Sequence, residues 1–405
     1  MINIDRLKSR MLEMAEIGKT NNNGVTRLAL SEEERRGRLL LIQWMKDLGL
    51  AVRYDDFGNI YGRSEGTDPN ASVIMSGSHI DSVPKGGKFD GVLGVLGALE
   101  AVESMLEKGI KHRHPIEIVS FTNEEGARFT PQMLGSGAVT GEFSREYIYN
   151  RTDDEGFRFE DELKKINFVG DEKNRLDNVG TFIEMHIEQG PVLETSQQTI
   201  GVVEGIAGFS WMEVTITGES NHSGTTPMSH RKDSLVTAAI AIKKISDWAK
   251  NEPEGIVATI GKIQTNPDII NAVPGETSFT IDIRCPREDQ FEQCVKEVKE
   301  IIEKIVNEDS LTYSINEIRT HSPVIFSNRI VATIEEVCKG QNLSYRLMSS
   351  GAGHDAMYMN NIAETAMIFV PTVNGKSHCE EEDTLWTDIE KGASVLYETL
   401  ASLAE

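Results

Sequence analysis

Cysteine is scarce in this 405-residue chain: Cys285, Cys294, Cys338 and Cys379 are the full set, and no two form a Cys-x-x-Cys pair. That spacing excludes a zinc ribbon and a dithiol redox motif, and it reads as free thiols in a reducing cytosol. Proline is also sparse, 12 residues against 35 glycines, and with 39% hydrophobic and 26% charged residues the composition is neither disordered nor fibrous. Positive charge is in deficit. Lys and Arg total 41 against 64 Asp and Glu, a net charge of −23, which argues against nucleic acid or an anionic lipid surface as partner. An anionic substrate would then require a local cation. Long apolar runs are missing too, because the stretch Val92–Val102 is interrupted by Gly94, Gly97 and Glu100 and nothing approaches the roughly 20 residues that span a bilayer. At the N-terminus, Ile4, Leu7, Met11 and Met14 recur at helical spacing between charges, unlike a signal peptide, so a cytoplasmic protein is expected. There is no Gly-x-Ser-x-Gly elbow, no phosphate-cradling Gly-x-x-x-x-Gly-Lys-Ser/Thr loop, no internal repeat and no low-complexity tract.

What is present suits two cores, since domains commonly hold about 100–200 residues. Helical spacing over Leu39–Leu50 leads into short strands at Val52–Tyr54 and Asn59–Gly62. Strand-like segments then follow at 72–75, 116–121 and 182–187, alternating with helical patterns such as Val92–Lys108. This is an α/β arrangement. Between about Gly205 and Thr320 the rhythm changes to strand Trp211–Thr217, helix Asp233–Lys250, strands Ile256–Gln264 and Ser278–Arg284, helix Gln290–Val306 and strand Leu311–Ile318. That β-α-β-β-α-β order is the ferredoxin-like signature. The α/β alternation then resumes with strands at Ser344–Met348 and Ala366–Val370 and a helix near Asp388–Leu403. A discontinuous domain over 1–205 and 321–405, carrying an insertion over 206–320, is the expected organisation. The polar segment Asp153–Asn178 reads as a surface excursion with a modest helix.

Metal-capable side chains cluster after the predicted strands of the larger domain: His79, Glu124-Glu125, His186 within FIEMHI, and His378. Open α/β sheets bind ligands at the carboxyl ends of their strands. Each residue alone has a plainer explanation: a strand-end His is usually a hydrogen-bonded structural residue, adjacent glutamates are usually solvated, and Asp90 before Gly91 and a helix is usually an N-cap. Together they form the His and carboxylate set that Zn²⁺ or Mn²⁺ requires, with Asp90 as the bridge between two ions. Asp81, two residues after His79, is expected to accept the imidazole's other N–H.

These residues sit in GSHIDSVPKGGKFDGVLG (77–94), TNEEGARF (122–129), MHIEQGPVLE (185–194), NHSGTTPM (221–228), NAVPG (271–275), IDIR (281–284), SGAGHDA (350–356) and NGKSH (374–378). With this ordered set the chain resembles, over nearly its whole length, the amidohydrolase branch of the di-metal aminoacylase and carboxypeptidase superfamily, which includes N-carbamoyl-L-amino acid hydrolases and allantoate amidohydrolases. The resemblance implies a di-metal exopeptidase-like catalytic domain with an inserted ferredoxin-like α+β lid and dimerisation domain. It implies two divalent ions per subunit (Zn, Mn or Co), with His79, Asp90 and His186 on one and Asp90, Glu125 and His378 on the other, and Glu124 as general base. It further implies that Gln189, His222, Asn271, Arg284 and Gly353 line the substrate site, that His222 acts in catalysis from the partner of a homodimer, and that the substrate is a small anionic ureido compound. His186 as a ligand, where peptidase relatives tend to carry an acidic residue, looks like the carbamoyl and ureido branch.

The residue chemistry is compatible with these roles. Arg284 near a strand end can grip a carboxylate bidentately, supplying the cation that the acidic surface lacks. His222, in a polar glycine-containing loop, can donate to a developing oxyanion. His354-Asp355 reads as a cap for the following helix. A thiol mechanism through Cys379 beside His378 lacks a second His-Asn set. The expected reaction is hydrolysis of the ureido C–N bond of N-carbamoyl-L-amino acids to L-amino acid, ammonia and carbon dioxide. Allantoate is the alternative substrate, followed by an aminoacylase or dipeptidase reaction and, last, a non-catalytic binding protein, which a missing ligand or base would indicate.

Overall fold

The computed structural model describes residues 2–405. They fall into two compact units, one of residues 2–204, Phe326–Met348 and Gly353–Glu405, the other of Gly205–Ile325 with Ser349–Ala352.

The larger unit is built on a nine-stranded sheet whose centre runs in the spatial order Ile116–Phe121, Val73–His79, Val179–Ile187, Glu364–Val370. All three pairings among these strands are parallel. Their residues are almost uniformly buried, which is why they read as apolar runs rather than alternating ones. The hairpin Ala51–Tyr54 and Ile60–Ser64 adds antiparallel strands at the Ile116–Phe121 edge. Helix Val92–Glu107 is buried along most of its length and packs on Val73–His79 and on helix Trp386–Ala404. The helix expected at Leu39–Leu50 starts earlier, at Glu32, because Ser31 caps it by accepting from the Glu34 amide, and it ends at Asp47. In the acidic excursion the described helices are Phe159–Lys165 and a short 3₁₀ turn at Glu172–Asn174.

The smaller unit has strands in the order Ile263–Asn266, Glu276–Cys285, Gly208–Thr217, Thr312–His321, all antiparallel. Helices Ser234–Asn251 and Glu288–Glu308 pack against this sheet around a core that includes Met212, Val214, Phe279, Ile281, Val298 and Ile302. The order is the ferredoxin-like one. One expected element differs. The strand Ile256–Gln264 is two pieces, Val257–Thr259 and Ile263–Asn266, both paired to Glu276–Cys285. Thr259 faces Asp282 and Ile263 faces Phe279, so four steps on one strand meet three on the other, which is a β-bulge that periodicity alone cannot reveal. The unit reaches beyond Thr320 because Val324 and Ile325 pair with Ile206 and Gly205. Asn221–His222 and Ala272–Val273 form a separate two-stranded ribbon. All four cysteines are free, and among the described residues no helix is long and apolar enough to cross a membrane.

Candidate metal centre

His79 is the last residue of Val73–His79, and His186 is the penultimate residue of the neighbouring Val179–Ile187. Both rings are 1% exposed. His79 donates from Nδ1 to the Asp81 carbonyl at 3.0 Å and His186 from Nδ1 to the Ile187 carbonyl at 2.9 Å. A carbonyl can only accept, so each neutral ring presents the lone pair of Nε2 inward. Asp90 lies just ahead of helix Val92–Glu107, yet the N-cap of that helix is Gly91 and no side chain caps it. The Asp90 carboxylate is therefore free for other work. Its Oδ1 lies 3.5 Å from His79 Nε2 and 3.2 Å from His186 Nε2, and its Oδ2 lies 3.4 Å from His378 Nε2, which is itself 3.3 Å from Glu125 Oε2.

Two ligand atoms each about 2.1 Å from a tetrahedral ion are about 3.4 Å apart, so these separations suit atoms arranged around cations better than direct hydrogen bonds. The Glu125 Oε1 atom is buried without a hydrogen-bond partner, as expected of a carboxylate awaiting an ion. His79, Asp90 and His186 form one group that could hold a metal, and Asp90, Glu125 and His378 form a second, sharing Asp90. These are the two sets that the resemblance implied. A third group, Glu184, His186 and His354, fits poorly. Both Glu184 oxygens already accept, one from Ser78 Oγ at 2.6 Å and the other from the Ala356 amide at 2.9 Å.

The electrostatics also favour cations. Burial raises the Glu125 carboxyl to about 8, with Asp90 adding to the shift. Contact with Asp90 raises His378 to about 9 against the opposing effect of burial. Burial alone would discharge His79, but Glu124 and Asp90 outweigh it and hold the ring well above its ordinary value. Protons thus occupy positions that divalent ions would take.

Glu124 belongs to none of the three groups. Its Oε2 is 3.4 Å from His79 Nε2, and its carboxyl is raised well above the ordinary value by burial, with Asp355 and Glu125 contributing against His79. A carboxyl raised in this way takes up a proton more readily than an ordinary glutamate, which suits a group that accepts and returns protons. Asp81 behaves differently from expectation. Its backbone carbonyl takes the His79 N–H, while its carboxylate accepts from the Glu124 and Glu125 amides at 3.2 and 3.3 Å. Asp81 thus positions both Glu124 and Glu125. His354 and Asp355 also depart from the cap reading, because Asp355 makes no capping bond and accepts instead from Ser136 Oγ at 2.5 Å, leaving Glu184 to meet the Ala356 amide. His354 lies with its ring 4.5 Å from that of His186 and is held well below its usual value by burial and by that neighbouring ring.

Of the residues implied for substrate binding, Gln189 lies beside the centre, donating from Nε2 to Asp90 Oδ2 at 2.8 Å. At Gly353 a Cβ would come 2.8 Å from Gln132 Nε2, so a side chain there would require the Gln132 amide to move. His222, Asn271 and Arg284 belong to the smaller unit. His222 is exposed, and its Nδ1 accepts from the Gly224 and Thr225 amides at 3.0 and 3.2 Å, which places the ring proton on Nε2. The Asn271 carbonyl accepts from the Ser223 amide at 3.1 Å, so Asn271 and His222 share one ribbon. Arg284 is engaged by Asp282 Oδ2 at 3.0 Å and the Gly351 carbonyl at 2.5 Å. Sequence reasoning missed Glu382 and Ser377, which contact Asp90, and Glu184, which accepts from Ser78 Oγ and the Ala356 amide beside His186; in the sequence Glu382 looks like one more solvated acid in Cys-Glu-Glu-Glu-Asp.

Residues 75–402 match Peptidase family M20/M25/M40. The chain is 40% identical over 406 residues to an N-carbamoyl-L-amino-acid amidohydrolase from Pseudomonas sp., covering 98% of each. It is 35% identical over 393 residues to an allantoate amidohydrolase from Escherichia coli, covering 96% of each. A solved amidase of the hydantoinase/carbamoylase family from Burkholderia multivorans superposes with a TM-score of 0.95 at 38% identity, covering 100% of this chain and 98% of that one.

Proposed function

The chain belongs to Peptidase family M20/M25/M40, and from that premise we propose that it hydrolyses the ureido C–N bond of N-carbamoyl-L-amino acids. The observation that carries this reading is the pair of ligand groups sharing Asp90, with Glu124 beside them. The carbamoyl substrate is favoured over other amides because relatives 37–40% identical along essentially the whole chain carry that name.

When bound, two divalent ions supply Lewis acidity toward a carbonyl and acidify water. Glu124 takes a proton from the attacking water and returns it to the departing nitrogen. His222 donates from Nε2 to the oxygen that gains charge, and the tautomer set by the Gly224 and Thr225 amides suits that role. Arg284 receives the substrate carboxylate, with Gln189, Asn271 and Gly353 as further binding positions. One water consumed gives L-amino acid, ammonia and carbon dioxide. A homodimer in which His222 serves the partner's site is supported by the exposed apolar side chains Val236 and Ile240 on one helix and Val257 and Ile263 on the adjoining edge strands. The free thiols suit the cytoplasm.

Allantoate is the second reading, because relatives 35–36% identical carry the name allantoate amidohydrolase and allantoate presents the same carboxylate and ureido pair. Side-by-side turnover of an N-carbamoyl-L-amino acid, allantoate and an N-acetyl amino acid tests the proposal. A preference for the N-acetyl compound would overturn it, and a preference for allantoate would install the second reading.

A further inference from the structure

We infer that Glu382 is the positioning residue for the bridging carboxylate of the metal centre, joining the Asp90 loop to the His378 loop. This rests on Asp90 and His378 being ligands, as proposed above. Glu382 is 3% exposed and 292 residues from Asp90 in sequence. Its Oε1 accepts from two successive backbone amides, Phe89 at 3.1 Å and Asp90 at 3.2 Å. Its Oε2 lies 2.9 Å from Ser377 Oγ, and that hydroxyl lies 3.2 Å from Asp90 Oδ2. One carboxylate therefore holds the Asp90 main chain directly and also meets the hydroxyl of Ser377, the residue before His378, whose single proton is within reach of both Glu382 Oε2 and Asp90 Oδ2 and serves one of them at a time.

The contact is too close to be incidental. A Cβ on Gly87 would fall 1.9 Å from Glu382 Oε1 and 2.0 Å from its carboxyl carbon, so the loop can wrap the carboxylate only with glycine there. Glu382 appears in none of the groups able to hold an ion, and both its oxygens are already engaged, which separates its role from that of a ligand. Asp90 must direct Oδ1 to one pair of histidines and Oδ2 to His378 at once. Such a bridge tolerates little rotation, because ligand distances are held within about 0.2 Å. Fixing the backbone on one side and one carboxylate oxygen on the other removes that freedom.

The test is Co²⁺ binding to the full chain stripped of metal, read by equilibrium dialysis and by the visible absorption spectrum of the bound ion. Glu382→Ala leaves the Phe89 and Asp90 amides without their acceptor and the Ser377 hydroxyl with Asp90 Oδ2 but no Glu382. Its Co²⁺ affinity should fall about 10- to 100-fold, the usual scale for outer partners of a metal ligand, with an altered spectrum. Glu382→Gln keeps an acceptor for both amides, and its NH₂ donates to Ser377 Oγ, leaving the hydroxyl proton for Asp90. It should stay within about threefold of wild type, far above the alanine variant. Unchanged affinity and spectrum in Glu382→Ala, even with a lower Tm of the metal-free protein, would make Glu382 merely structural and overturn the inference. Equal loss in both variants would also overturn it, since charge rather than geometry would then matter. If the alanine variant does not fold, Ser377→Ala takes its place: weakened Co²⁺ binding supports the link, and wild-type binding refutes it. Failure of the wild-type protein to bind Co²⁺ would instead sink the metal-centre reading.

Discussion

Gly91 offers the most direct test of the centre's geometry. Its φ is +65°, and a Cβ built there lies 2.4 Å from both Nε2 and Cε1 of His79 and 2.5 Å from Cδ2. Nonbonded carbon atoms settle near 3.5 Å or beyond, so Gly91→Ala must displace the ring or the loop by about 1 Å. The ring has little space for retreat, being 1% exposed and tied through Nδ1 to the Asp81 carbonyl. A 1 Å shift is about five times the tolerance of a metal–ligand distance. Affinity at the His79, Asp90 and His186 group should therefore fall about 100-fold or more, beyond what loss of an outer partner causes. Gly91 also has ψ −48°, which with its positive φ is a conformation that residues with a Cβ rarely adopt, so the alanine is strained as well as crowded. Gly109→Ala serves as a positive-φ control without a clash, because Gly109 has φ +63° and nothing within 4 Å of its Cβ position. The assay is metal affinity by competition with a chromogenic chelator, together with the Tm of each metal-free variant. Both variants should lose a few degrees, and only Gly91→Ala should lose metal. Equal metal affinities in the two would refute the placement of His79 as a ligand held against Gly91.

Three further outcomes are expected. Glu124→Gln keeps the shape and removes the proton acceptor, so kcat should fall on the order of 10²- to 10⁴-fold with metal content retained; loss of metal in step with activity would make Glu124 a ligand. Metal affinity at the Asp90, Glu125 and His378 group should weaken as pH falls. His378, raised to about 9, and Glu125, raised to about 8, both carry protons at pH 7 that binding must expel. The affinity should change by up to about tenfold per expelled proton per pH unit between pH 6 and 8 and level off above about 9, and a flat profile in a pH-stepped titration would contradict this. Mixing inactive His222→Ala and Glu124→Gln chains should restore about a quarter of wild-type activity, because half of randomly formed dimers are mixed and each has one intact site; verified subunit exchange with no recovery would place His222 in its own chain's site or outside catalysis.

The proposed ligands His79, Glu125, His186 and His378 were legible from the chain alone because each stands at or within a few residues of the end of a buried parallel strand, where an apolar run signals the strand, whereas Asp90 stands ahead of a helix and reads locally as a cap. The β-α-β-β-α-β order of the smaller unit was legible for a similar reason, since alternation and helical spacing are local properties. What depends on non-local contact was hidden. The bulge between Thr259 and Ile263 exists only relative to Glu276–Cys285. Asp81 was recognised as a partner of His79, but which of its oxygens reaches the ring depends on how the backbone turns after the strand, and that turn sends the carboxylate to the Glu124 and Glu125 amides. Glu382, Ser377 and Glu184 gain their roles from segments 292, 287 and 172 residues away. The sequence by itself therefore determined which side chains could bind cations; only the tertiary structure decided which residues hold them at ligand spacing, because a hydrogen bond formed across such separations leaves no periodicity in the chain.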